Sequence, residues 1–294
     1  MEFRPPNAER FLCLGAPGIL PGAPALLGVG YDGTTSFRPG ARFGPDAIRS
    51  VADLGLETYS PEQDRDLAEV SFADLGNLDL PFGAPEPVVE AVREAVRELL
   101  EAGAIPFLLG GEHGITPGAV RAVWETHPEL AVVQFDAHAD LRDSFDGTPW
   151  SHACAMRRIL DFLPPERMRQ VGIRSGTREE FAELRTSGRL VAPEAASLAA
   201  ALEAPGIKDR PLYLTIDLDL FDPAFLPGTG TPEPGGIGWR DFAGLLATLP
   251  GDRIVALDVV ELSPKLDPTE VSSVIAAKVV RECLLRLGRV SSDS

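Results

Sequence analysis

The stretch "VVQFDAHADL" (132–141) decides how this chain is read. An apolar run ends in Asp136, His138 and Asp140, spaced two apart. A second stretch, "LTIDLDLFDP" (214–223), ends in Asp217, Asp219 and Asp222. Both apolar runs have the look of buried strands, and burying unpaired carboxylates is costly. The pattern therefore calls for a compensating cation.

Working outward, the chain alternates helix-like and strand-like segments from about residue 88. "VVEAVREAVRELLEAG" (88–103) has helical spacing, with Gly103 placed to close the helix. "IPFLLGG" (105–111) follows as a strand, and Thr116 and Pro117 suggest the N-cap and first position of the next helix. Strands are expected at "AVVQF", "VGI", "RLVAP", "LYLTI" and "RIVALDVV". Helices are expected at "CAMRRILDFL", "REEFAELRTSG", near 195–203, at "WRDFAGLLATL" and at "EVSSVIAAKVVRECLLRLG". Uniformly apolar strands alternating with helices indicate an α/β fold, with a mainly parallel sheet covered on both faces. No linker splits the chain, so one domain (1–294) is expected, with the Pro/Gly-rich first 25 or so residues and the tail "SSDS" peripheral.

Of the 294 residues, 44% are apolar and 24% charged, which suits a large core and argues against disorder. The formal net charge of -17 argues against nucleic acid and anionic membranes as partners. Cys13, Cys154 and Cys283 are scattered and odd in number, as in a reducing cytoplasm, and they form no cluster for zinc. No signal-like or membrane-spanning stretch is evident, so a cytoplasmic location is expected.

Open parallel sheets bind ligands beyond the carboxyl ends of their strands. "GGEHG" (110–114), "DAHAD" (136–140), "DLD" (217–219) and "ELSP" (261–264) all follow strands and should converge there. Three of the four histidines, His113, His138 and His152, lie in or beside these clusters, while His127 suits a helix end, exposed or favoured by the dipole. His113, Asp136, His138, Asp140, Asp217 and Asp219 are too many ligands for one ion, whereas two divalent ions would balance the four carboxylates. Carboxylate with imidazole and no thiolate favours Mn²⁺. In an extended chain alternate residues share a side, so each motif should aim its ligands together. A two-metal cluster activates a bridging water, so hydrolysis is the expected chemistry. Asp222, before Pro223, suits a turn better than a metal.

These motifs resemble those of the ureohydrolases, the arginase and agmatinase family. The likeness runs through "GVGYDGTTSFRPGARFGPDAIR" (28–49), "GGEHGIT", "FDAHADLRD", "TIDLDLFDPAFLPGTGTPEPGG" (215–236) and "DVVELSP" (258–264). It implies an arginase-like three-layer α/β/α sandwich, two Mn²⁺ per subunit and a homo-oligomer, trimer or hexamer. By motif, His113, Asp136, Asp140 and Asp217 would hold one ion, and His138, Asp136, Asp217 and Asp219 the other. Glu261 would grip the substrate guanidinium. His152, in an exposed loop with a pKa near ~6.5, would shuttle protons, and Asp140 would return one to the leaving nitrogen. Glu112 stands where many members carry Asp, in an orienting position, and Ala153 where many carry Gly.

The resemblance favours an agmatinase-like member, since Ser175 and Thr177 stand where acidic residues would meet an α-amino group. Agmatine or N1-aminopropylagmatine is the expected small cationic substrate, giving putrescine or spermidine in polyamine biosynthesis. Asp143, Asp146, Glu179 and Glu180 are candidates to receive its distal ammonium. The alternatives are arginine, guanidinobutyrate bound through Arg142 and Arg174, or an inactive metal-binding homologue.

Overall fold

The computed structural model describes residues 3–4 and 10–288, so the tail expected to be peripheral lies outside them. Its strands are β1 (Phe3–Arg4), β2 (Pro24–Val29), β3 (Tyr59–Ser60), β4 (Arg65–Asp66), β5 (Ala73–Leu78), β6 (Ile105–Gly110), β7 (Ala131–Phe135), β8 (Met168–Val171), β9 (Leu190–Val191), β10 (Leu212–Asp217) and β11 (Ile254–Val260). One sheet has the order β1-β5-β2-β6-β11-β10-β7-β8-β9, and β3 pairs with β4 apart from it. Only β1 runs antiparallel to its neighbour in that sheet; the other eight strands are parallel.

The helices are α1 (Gly44–Gly55), α2 (Pro85–Glu101), α3 (Thr116–Thr126), α4 (Ala155–Leu160), α5 (Arg178–Ser187), α6 (Ala195–Leu202), α7 (Trp239–Thr248) and α8 (Val271–Leu287). Because side chains alternate across a strand, neighbouring strand residues feed opposite layers. Leu26, Phe107, Val133, Leu214 and Leu257 pack with α1, α6, α7 and α8. Leu27, Leu108, Val132, Tyr213 and Ala256 pack with α2, α3, α4 and α5. The result is a three-layer α/β/α arrangement. Each fully buried Leu, Ile or Phe contributes roughly 1.5–3 kcal/mol of transfer free energy, which explains why the strands tolerate no solvent-facing side.

Local chemistry sets the element ends. Gly103 takes φ +78°, open to glycine, directly after α2. Thr177 and Glu180 exchange side-chain and backbone hydrogen bonds across the first turn of α5, and Gly188 at φ +68° ends it. Thr116 is not the expected N-cap: it is the first residue of α3, and its hydroxyl donates to Asp258 instead. The strand expected at "VGI" lies upstream, at Met168–Val171. The N-terminal region is less peripheral than expected, because Phe11 is fully buried and packs edge-on against Phe72. Among the described residues no helix is long and apolar enough to cross a membrane.

Register sets the stage for the site. Ile216 is level with Phe135, and Asp217 with Val260. Asp136, Asp217 and Glu261 therefore emerge together at the carboxyl ends of three adjacent strands. Towards the sheet's far edge, Arg49 of α1 forks onto Asp74 of β5, with Nη2–Oδ1 2.8 Å and Nε–Oδ2 2.9 Å, both side chains fully buried. Asp74 also accepts the Phe11 and Gly76 amides. Removing one partner of a buried pair strands the other charge. Asp74→Ala is expected to lower unfolding free energy in urea by about 3–5 kcal/mol, and a loss under about 1 kcal/mol would show that the pair is dispensable.

Candidate metal centre and active site

The four clusters do meet above the carboxyl ends of β6, β11, β10 and β7, but not by strand alternation. β7 stops at Phe135, and Asp140 takes a left-handed backbone at φ +53°. Asp217 is the last residue of β10 and Asp219 lies in a 3₁₀ turn, whose Asp219 amide donates to Asp217 Oδ1 at 2.9 Å. Glu261, just past β11, is also left-handed at φ +68°. Non-glycine residues in this region cost about 1–3 kcal/mol each and cluster at functional sites.

His113 sits in a 3₁₀ turn between β6 and α3 and is 1% exposed. Its Nδ1 lies 3.0 Å from Asp136, 3.1 Å from Asp140 and 3.3 Å from Asp217, all at carboxylate oxygens. That nitrogen is buried without a hydrogen-bond partner. On the other side, His138 Nδ1 is 2.8 Å from Asp219 Oδ2 and 3.7 Å from Asp136 Oδ1. Asp136 thus turns one oxygen towards each imidazole. Two groups, His113 with Asp136 and Asp140, and Asp136 with His138 and Asp219, each bring ligand atoms within 4.8 Å of one another. A buried, orphaned nitrogen facing carboxylates fits a divalent cation.

Electrostatics point the same way. Burial opposes charge on both histidines, but the surrounding aspartates win and raise both, His138 to about 12. Burial and the Asp136 charge push Asp140 up to about 6, and burial with Asp219 and Asp136 pushes Asp217 well up. Burial and Glu112 push Glu261 to about 8. Protein groups alone must share protons to coexist here, whereas divalent cations would let every carboxylate ionise.

Gln134, Gln170 and Glu233 escaped the sequence reading, while Glu112 takes up the orienting position expected of it. Buried Gln134 donates to Asp136 Oδ2 at 2.6 Å and to the His138 carbonyl at 3.2 Å, and Gln170 braces it at 2.6 Å. Its one available signal was a single amide inside an otherwise apolar run. Glu233 accepts from Ser175 Oγ at 2.8 Å and lies 3.9 Å from His138 Nε2. Glu112 accepts the Thr34 amide at 2.8 Å and the Thr34 hydroxyl, and Thr34 Oγ1 in turn accepts the His152 amide at 3.1 Å. The motif at 28–49 is thereby tied to the histidine loop.

Other expectations need correcting. His152 is not openly exposed: it is half-buried, and burial pushes its pKa down to about 4. His127 is also half-buried, with its pKa lowered by burial rather than raised by the helix dipole. Glu180 spends its oxygens on the Leu141 and Thr177 amides, and Asp143 pairs with Arg158. Arg174 is committed to the carbonyls of Asp219, Glu233 and Pro234 and is not free to bind a carboxylate. Asp222 accepts the Ala224, Gly235 and Gly236 amides, a turn role as expected.

Over the ligands opens a cavity of about 270 Å³, walled by His152, Arg142, Phe145, Ser175, Thr231 and Glu261 among others. A cavity of this size over a His/Asp cluster able to hold a metal, at the carboxyl ends of a parallel sheet, is the arrangement expected of an α/β enzyme's active site. Residues 23–286 match the model of the arginase family. The chain is 41% identical over 262 residues to an agmatinase of Halalkalibacterium halodurans, covering 88% of this chain and 90% of that one. It is 42% identical over 255 residues to an N(1)-aminopropylagmatine ureohydrolase of Thermococcus kodakarensis, covering 84% and 86%. The solved structure of proclavaminate amidinohydrolase from Streptomyces clavuligerus superposes with a TM-score of 0.86 at 34% identity, covering 96% and 97%. The chain belongs to the arginase family, and it is a hydrolase of the ureohydrolase kind.

The depressed His152 pKa has a measurable consequence. Between the ordinary 6.5 and about 4, the unfolded chain binds a proton that the folded chain refuses, so this residue's contribution to stability falls as pH drops through that window. His152→Asn is expected to lose less stability than wild type between those pH values in urea titrations. Equal losses would place the imidazole in water.

Proposed function

We propose that this protein is a binuclear manganese ureohydrolase that cleaves the guanidino group of agmatine or N1-aminopropylagmatine to urea and putrescine or spermidine, in cytoplasmic polyamine biosynthesis. The observation that carries the reading is Asp136, facing His113 with one oxygen and His138 with the other, beneath a cavity floored by Glu261. In this reading His113, Asp136, Asp140 and Asp217 hold one ion and His138, Asp136, Asp217 and Asp219 the other. The mixed imidazole–carboxylate donors suit Mn²⁺. Bound divalent ions supply Lewis-acid activation of the attacking water at neutral pH.

The chain's own groups do the rest. Glu261 Oε1 accepts the His113 amide at 2.8 Å, which fixes the carboxylate and leaves Oε2 for the guanidinium N–H groups. Holding the flat guanidinium there presents its central carbon to water. As the C–N bond breaks, a proton must reach the departing nitrogen. Asp140 would take it from the attacking water and return it to that nitrogen, and neutral His152 at the cavity wall would exchange protons with solvent.

Substrate choice rests on the cavity mouth. Of the acidic loop residues, Asp143, Asp146 and Glu179 are exposed, Asp143 against Arg158, and Glu233 lies beside Ser175. They suit a distal ammonium. One observation favours a second reading: Arg142 lines the cavity, held 4.7 Å over the Phe145 ring, where it would suit a carboxylate such as that of guanidinobutyrate. Urea release from agmatine, N1-aminopropylagmatine, arginine and guanidinobutyrate with Mn²⁺ separates the readings. We expect kcat/KM at least about tenfold higher for one of the first two. A preference for guanidinobutyrate supports the Arg142 reading, and release from none supports an inactive homologue. Asp136→Asn and His138→Ala are each expected to lose bound Mn²⁺ and activity together; full activity in either variant would move the centre elsewhere.

A further inference from the structure

Beneath the cation cluster lies a carboxylate that no step above uses. Asp258 of β11 is fully buried and accepts three hydroxyl hydrogen bonds, from Thr215 at 2.5 Å, Tyr213 at 2.6 Å and Thr116 at 2.9 Å. Thr215 and Asp258 are direct partners across the β10–β11 ladder. Tyr213, two residues earlier, shares the Thr215 face, and Thr116 opens α3.

A hydroxyl carries one proton. Thr215 gives its proton to Asp258, so its oxygen has only lone pairs left for His113 Nε2, 2.9 Å away. Nε2 must therefore be the donor. In the neutral imidazole, the form a bound cation would select, that leaves Nδ1 as a lone pair, aimed among Asp136, Asp140 and Asp217. A Thr215 hydroxyl free of Asp258 would rotate to donate to Nε2, stabilising the tautomer protonated at Nδ1, which cannot bind a cation there. Histidine ligands depend on such outer hydrogen bonds for orientation and tautomer.

We propose that Asp258 and Thr215 are positioning residues that hold His113 in the one tautomer able to ligate metal through Nδ1. This rests on the reading of His113 as a metal ligand. His138 is held differently: among the described residues its outer nitrogen faces the Glu233 carboxylate at 3.9 Å rather than a strand hydroxyl. The expected effect is therefore confined to one of two bound ions.

The test is Mn²⁺ binding by electron paramagnetic resonance of the free ion, on wild type, Thr215→Val, Thr215→Ser and His113→Ala. Valine keeps the shape of threonine without its hydroxyl, and serine keeps the hydroxyl with less bulk. We expect Thr215→Val to weaken one of the two ions by about 10–100-fold, with Thr215→Ser within about threefold of wild type. A packing role gives the reverse order, and serine binding more weakly than valine would overturn the proposal. If Thr215→Val does not fold, Asp258→Asn serves: weakening of one ion supports the proposal and unchanged affinity overturns it. Equal Mn²⁺ binding by His113→Ala and wild type would instead remove the metal-ligand reading itself.

Discussion

Four aspartates with almost no access to water cannot all be charged within a few ångströms of each other unless cations stand between them. This constraint organises the molecule around it. Asp136, Asp140, Asp217 and Asp219 are at most 6% exposed. The protein offsets only part of their repulsion with its own groups: amides of Ala137, His138 and Asp219 donate to them, and so does Gln134. The remainder is left for the imidazoles and, in the proposed reading, for bound metal, which the donor set suits.

Everything that positions those groups is rigid. Three adjacent parallel strands end level with one another, and the residues that follow leave the sheet in tight turns. Asp140 and Glu261 hold left-handed backbones that a free chain would seldom visit. The surrounding layers, packed on both sheet faces, keep these turns from relaxing. Precision at the site is therefore a property of the sheet's register and of its two helical layers as much as of the ligands.

Much of this was legible in the sequence, for identifiable reasons. Apolar runs of strand length alternate with 3.6-period helices, so sheet class and helix order follow from patterning. The ligand residues announce themselves as charges at the ends of apolar runs. What patterning could not show is how they meet: the extended-strand reasoning expects Asp136, His138 and Asp140 to converge by alternation, whereas they come together through a turn after Phe135 that is set by side-chain-to-amide bonds. Nor could it show commitment. Arg174 and Glu180 looked available for substrate, yet Arg174 is consumed by carbonyls 45 to 60 positions away, and Glu180 by the Leu141 amide 39 positions away and the Thr177 amide of its own helix cap. The half-burial of His152 depends on Thr34 and Ser36, more than a hundred positions away. Thr215 and Asp258 read as ordinary strand residues until the ladder sets them side by side.

Arg174 has a meaning for how such enzymes diversify. Its guanidinium grips the carbonyls of Asp219 in one loop arm and of Glu233 and Pro234 in the other, and also reaches Leu220. One side chain from after β8 thus staples both arms of the segment that runs from the metal ligands to the cavity mouth. That segment and its staple act as one unit: exchanging residues 219–235 without regard to position 174 would loosen the backbone that carries Asp219, one of the proposed metal ligands. Arg142 and Phe145 line the same cavity from the loop that follows Asp140, a different segment from the one Arg174 staples.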